Sequence, residues 1–143
     1  MRAFLSIIFS LGLVSAVSAA DADQSDWAFT CVDRAKLADV SAGTDIVRIN
    51  NFSLREAAAF GVDGLSDAEI TFSVANRGSE GVHLKGQFLL MDAAQLPIVA
   101  MSAGPSFDLV AGHKTEAARG TALIREGELQ SVTSICIRIV GEF

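Results

Sequence analysis

The chain has 143 residues, half of them hydrophobic, and a formal net charge of −6. That balance excludes a basic, phosphate-tracking nucleic-acid binder, and the length suits one domain with a core of its own. Aromatic residues make up only 7%, with no tyrosine and one tryptophan, so a stacking platform for single-stranded nucleic acid is excluded too.

Residues 1–20 read MRAFLSIIFSLGLVSAVSAA. One positive residue, Arg2, precedes an apolar run from Ala3 to Leu13 or Val14, and small residues follow up to Ala19 and Ala20. This is the pattern of a secretory signal peptide cleaved after Ala19 or Ala20. The run is too short and too broken by Ser6, Ser10, Gly12 and Ser15 for a spanning helix, which needs about 20 apolar residues. The expected localisation is periplasmic or secreted. Loss of Arg2 takes the net charge from −6 to −7. The remaining residues, 21–143, are expected to form a single domain, with a frayed polar start at Asp21–Asp26.

From Asp45 onward apolar residues recur mostly with period two, the mark of half-buried strands. A strand is expected at Ile46–Asn50. Next, Ile70-Thr71-Phe72-Ser73-Val74 alternates apolar and hydroxyl residues, and Asn76-Arg77-Gly78 supplies a turn. Val82–Leu90 alternates again, with Val82, Leu84, Phe88 and Leu90 facing inward. Ile98–Met101 is a short apolar run, and Phe107-Asp108-Leu109 leads to a turn at Ala111-Gly112. Thr115–Ile124 reads as a strand, Arg125–Glu128 as a polar turn, and Ser134–Ile139 as a strictly alternating last strand. Short strands with turn signals at this spacing predict an all-β fold, an antiparallel sandwich or barrel.

One short helix is expected near residues 54–60. Ser53-Leu54-Arg55-Glu56 has the spacing of a capping box, Ala57–Ala59 are strong helix formers, and Gly61 suits a left-handed cap.

The segment Phe88-Leu89-Leu90-Met91-Asp92 resembles the signature of the FxLYD domains, immunoglobulin-like sandwiches of bacterial extracytoplasmic proteins. Phe88, Leu90 and Asp92 match it, and Met91 stands where that pattern has tyrosine. Leu109-Val110-Ala111-Gly112 resembles the later turn of the family, and Asn76 the turn before the signature strand. The resemblance covers roughly residues 68–124. It implies an antiparallel immunoglobulin-like β-sandwich without catalysis and without a general ligand. In physical terms Phe88 and Leu90 fill a core, and Asp92 bonds turn amides where its strand ends.

A search for chemistry returns little. There is no Gly-x-Ser-x-Gly elbow, phosphate loop or dinucleotide fingerprint. His83 is expected on a solvent face and His113 after a turn, with no accompanying motif. Asp63, Asp67 and Glu69, like Glu126 and Glu128, are expected to be solvated turn carboxylates rather than a catalytic pair, which needs one carboxyl in an apolar pocket. Met91, Met101, His83 and His113 have the ligand types of a copper site. However, His83 and Met91 are eight residues apart on one strand face, and at about 3.3–3.4 Å per residue they cannot share an ion. Asn51-Phe52-Ser53 matches a glycosylation acceptor by chance. Trp27, beside Phe29 and Cys31, is expected to bury against the domain.

Cys31 and Cys136 are the only cysteines. In an oxidising compartment they are expected to form one structural disulfide. Cys136 alternates with Ile135, Ile137 and Ile139, so the bridge should lie on the outer face or edge of the last strand and tie down the Trp27–Cys31 segment, rather than cross the core. No cofactor, metal site or catalytic residue is assigned. The expected function is an exported, non-catalytic module for protein–protein contact or envelope assembly, with an unknown protein partner, no nucleic acid and no membrane insertion after signal cleavage. The alternative is a periplasmic small-ligand or copper carrier.

Overall fold

A computed structural model describes residues 29–142. The signal segment 1–20, the acidic stretch Asp21–Asp26 and Trp27 lie outside the described residues.

Among the described residues nine strands form two antiparallel sheets packed face to face: β1 (Thr30–Asp33), β2 (Ala42–Gly43), β3 (Val47–Ala58), β4 (Leu65–Asn76), β5 (Val82–Met91), β6 (Pro97–Ala103), β7 (Leu109–Val110), β8 (Thr115–Arg125) and β9 (Ser134–Glu142). One sheet has the order β1-β9-β5-β6 with β7 beside the start of β5, and the other has the order β2-β3-β4-β8. The all-β sandwich read from the alternation is the architecture observed.

The inward set expected for β5, Val82, Leu84, Phe88 and Leu90, is buried. Phe88 meets two phenylalanines of the facing sheet. Its ring centroid lies 5.9 Å from Phe72 and 6.3 Å from Phe52, and Phe52 and Phe72 stack at 5.2 Å. Three large rings in such geometry dominate the energetics of a small core. Asp92 accepts hydrogen bonds from the amides of Ala94 and Leu96 at 2.8 and 2.9 Å, closing the β5–β6 turn. Asn76 is 2% exposed. It donates to the carbonyls of Glu80 and Val110 and accepts from the amide of Gly78, so it joins two turns at one end of the sandwich.

The helix expected near 54–60 is not formed. Residues 54–58 continue β3, paired with β4 from Ser53↔Thr71 to Ala58↔Ser66, and the strand ends at Ala58. Asn50 opposes Ser73 and Ser53 opposes Thr71, so β3 carries one extra residue, a β-bulge. Asn51 sits there at φ 57, a left-handed conformation that asparagine tolerates. The bulge changes the phase of the strand. Val47 and Ile49 point inward before it, and Phe52 and Leu54 after it. A broken alternation followed by alanines imitates a helix start, yet an isolated helix of this length is marginal in water, whereas the strand gains a ladder with β4 and buries Phe52.

The sheets touch along the β6–β8 side. Gly104 and Arg119 exchange backbone hydrogen bonds of 3.3 and 3.0 Å. A Cβ on Gly120 would lie 2.0 Å from the Ser102 carbonyl oxygen, so only glycine permits this approach. On the opposite side residues 34–39 form a short 3-10 segment that inserts Leu37 into the core.

Cys31 and Cys136 are opposite partners in the β1–β9 register, with Cα atoms 3.8 Å apart and sulfurs at bonding distance. Neither sulfur lies between the sheets: Ile135 and Ile137 on either side of Cys136 join the hydrophobic core, and the cysteines do not. The bridge ties the edge strand β1 to β9, on the outer face as expected.

Candidate functional site

The outer face of the β2-β3-β4-β8 sheet carries an ion cluster. Alternation places Glu69 of β4 on this face, with Arg55 opposite on β3 and Thr121 opposite on β8. Arg119 lies one pair along β8, opposite Thr71. The Glu69 side chain is 2% exposed although it is on an outer face, while those of Arg55 and Arg119 are 66% and 65% exposed. The two arginines roof the carboxylate. Arg55 donates from Nε to Oε1 at 2.5 Å and brings Nη2 to the same oxygen; Arg119 Nη2 pairs with Oε2. Oε2 meets no strict hydrogen-bond geometry, but its contact with a guanidinium leaves it compensated by charge. Burial alone pushes the carboxyl pKa up; the Arg55 hydrogen bond and the charges of Arg119 and Arg55 outweigh it, and the net shift is downward from 4.5. Glu69 is therefore an ionised, buried mid-strand group and not the solvated turn carboxylate expected. With residues 54–60 read as a helix, no sequence signal placed Arg55 opposite it.

The same face holds Arg48 opposite Ala75 and Arg125 opposite Leu65. Four arginines against Asp67 and Glu69 make this face cationic on a chain whose net charge is −6. Between them lie Ser53, Thr71, Ser73 and Thr121, with the exposed Leu123 opposite Asp67.

A loop joins this face at the Gly104–Arg119 bridge. It runs through Pro105, which is buried, to Phe107, which is 97% exposed. Phe107 and Asp108 both have left-handed backbone, φ 59 and φ 54, and a bulky residue there costs on the order of 1–2 kcal/mol. The conformation is held from both sides. Asp108 forms an ion pair with Lys85 at 3.3 Å, and its Oδ1 lies where a Cβ on Gly104 would stand, 2.5 Å away. From the sequence, Phe107-Asp108-Leu109 only leads to a turn at Ala111-Gly112. The signal passed over there was turn chemistry, Gly104-Pro105-Ser106 before an aromatic and Asp108 after it.

The copper candidates are not brought together. His83 and Met91 sit at opposite ends of β5, opposite Glu142 and Ser134 of β9, Met101 is buried at 7% exposure, and His113 stands in the turn before β8. Among the described residues no three His, Cys, Asp or Glu side chains are placed to hold a metal ion, and no helix is long and apolar enough to cross a membrane.

Comparison with known proteins found no matching family model, curated protein or solved structure. What fold and site define is an antiparallel β-sandwich with an arginine-rich outer face and a projecting aromatic loop.

Proposed function

We propose that this is an exported, non-catalytic module, periplasmic or secreted, that holds a partner protein. The observation that carries the reading is Phe107: a fully solvated aromatic kept in an unfavourable backbone conformation by the neighbouring Asp108–Lys85 ion pair and a buried proline. Backbone strain that yields no burial within the fold is of the kind found at functional sites, and rigid aromatic and arginine side chains are what interface hot spots are made of. The resemblance to FxLYD domains supports the same reading, as does the strand order. The orders β3-β4-β8 and β9-β5-β6 are compatible with the A-B-E and F-C-C′ arrangement of immunoglobulin-like sandwiches. In this reading β1, from the N-terminal side, takes the edge position that a last strand G would fill. Signal and disulfide together support export.

The test places a photo-crosslinking phenylalanine analogue at position 107 of the full chain in its native host. A discrete adduct of one mass is expected. The Phe107→Asn variant, whose asparagine accepts left-handed backbone, should abolish retention of the same partner while keeping or raising thermal stability, by up to about 1 kcal/mol. Absence of any adduct at 107 from folded, exported protein overturns the proposal.

A further inference from the structure

We propose that the outer face of the β3–β4–β8 sheet docks a carboxylate-rich segment of the partner, with Arg55 and Arg119 as the central contacts. This rests on the partner-binding reading above and names the chemistry of what is bound.

The first argument is geometric. A guanidinium has five N–H donors in a planar fork. Arg55 commits Nε and Nη2 to Glu69, and Arg119 commits Nη2. The remaining donors belong to side chains about two thirds exposed. Glu69 acts as a positioning residue beneath them. One buried carboxylate fixes two guanidiniums side by side and removes part of the entropy that long side chains otherwise lose on binding. Carboxylates and planar guanidiniums pair in bidentate fashion.

The second argument is electrostatic. The face carries an excess of arginine over acid, while the whole chain is negative. An acidic segment is repelled by the rest of the molecule and attracted here, which gives orientation as well as attraction. Arg48 and Arg125 extend the array along the strands in both directions, over rows spaced about 6.6–6.8 Å per residue pair. That extent suits an elongated chain better than a single ion. The floor of Ser53, Thr71, Ser73 and Thr121 offers hydroxyls and no aromatic ring on which a sugar could stack. The third argument is continuity. Gly104 bonds the backbone of Arg119, and Phe107 follows three residues later, so an acidic stretch with an apolar residue at one end meets both features.

The test titrates isotope-labelled protein with poly-L-glutamate, with a heparin oligosaccharide as the competing class. Poly-L-glutamate should shift the Arg55 and Arg119 Nε signals and the Thr71 and Thr121 amides, and its Kd should rise about tenfold from low to physiological salt. The triple variant Arg55→Gln/Glu69→Gln/Arg119→Gln removes the cluster without stranding a buried charge, and should raise the Kd about tenfold or more. Arg48→Gln/Arg125→Gln, which leaves the buried carboxylate paired, should raise it about threefold. An unchanged Kd in the triple variant, absent shifts at these residues, or tighter binding of heparin overturns the inference. A position-107 adduct that persists in the triple variant overturns this inference alone, whereas an absent adduct in the parent protein overturns the partner-binding reading.

Discussion

The two outer faces of the sandwich follow one alternation rule and end up opposite in character. On the β1-β9-β5-β6 sheet the face is occupied by the protein's own chain. The Cys31–Cys136 bridge fastens β1 over the edge of β9, Arg138 donates from Nε to Gln87 Oε1 at 2.9 Å, and the guanidinium lies 5.0 Å from the Phe29 ring centroid. On the β3–β4–β8 face the arginines lie on a carboxylate beneath them and remain open above. The difference teaches that a cation is made either structural or available by where its counter-group lies: level with it and covered by an aromatic, or buried below it.

The first face should respond strongly to loss of its fastening. Cys31→Ala/Cys136→Ala is expected to lower unfolding stability by about 4–5 kcal/mol, the chain-entropy scale for a loop of this length, measured by urea denaturation, and to increase amide exchange at Ile135–Ile137. Binding at the arginine face should be unaffected; a matching loss there would show that the faces are coupled. Gln87→Ala removes a hydrogen-bond partner of Arg138 and should cost about 1 kcal/mol, read by the same denaturation. If it costs nothing, the hydrogen bond to Gln87 is not what holds that guanidinium.

The smallest expected effect belongs to Glu69 and is visible as a pH dependence. Its folded pKa is depressed, so its contribution to stability is present in full above its ordinary value of 4.5 and is lost as the pH falls through the folded value. Thermal melts of the parent chain against Glu69→Gln between neutral and acid pH should converge at the acid end. Parallel curves would mean that the carboxylate is not the titrating partner of the arginines.

Much of the fold was legible because alternation is a local property. The inward residues of β5, the turn role of Asp92 and the outward placement of Cys136 all follow from counting residues in pairs. The helix error at 54–60 came from one residue. The bulge at Asn51 reset the count, and three alanines then outweighed a strand whose partner could not be seen. The candidate site was hidden for the same reason. Glu69 looks solvated until β3 and β8 deliver Arg55 and Arg119 to its two sides, and Phe107 looks like an ordinary lead into a turn until Lys85 of another strand pairs with Asp108.

The amino-acid sequence by itself determined the β class, the inward and outward sets of most strands, and the face on which the cysteines stand, since each depends on neighbours within a few residues. The tertiary structure alone decided which strands pair, that β1 should close the edge of β9, and that two distant arginines should share one buried carboxylate. Those outcomes depend on register between strands remote in the chain, where one extra residue moves every following side chain to the other face.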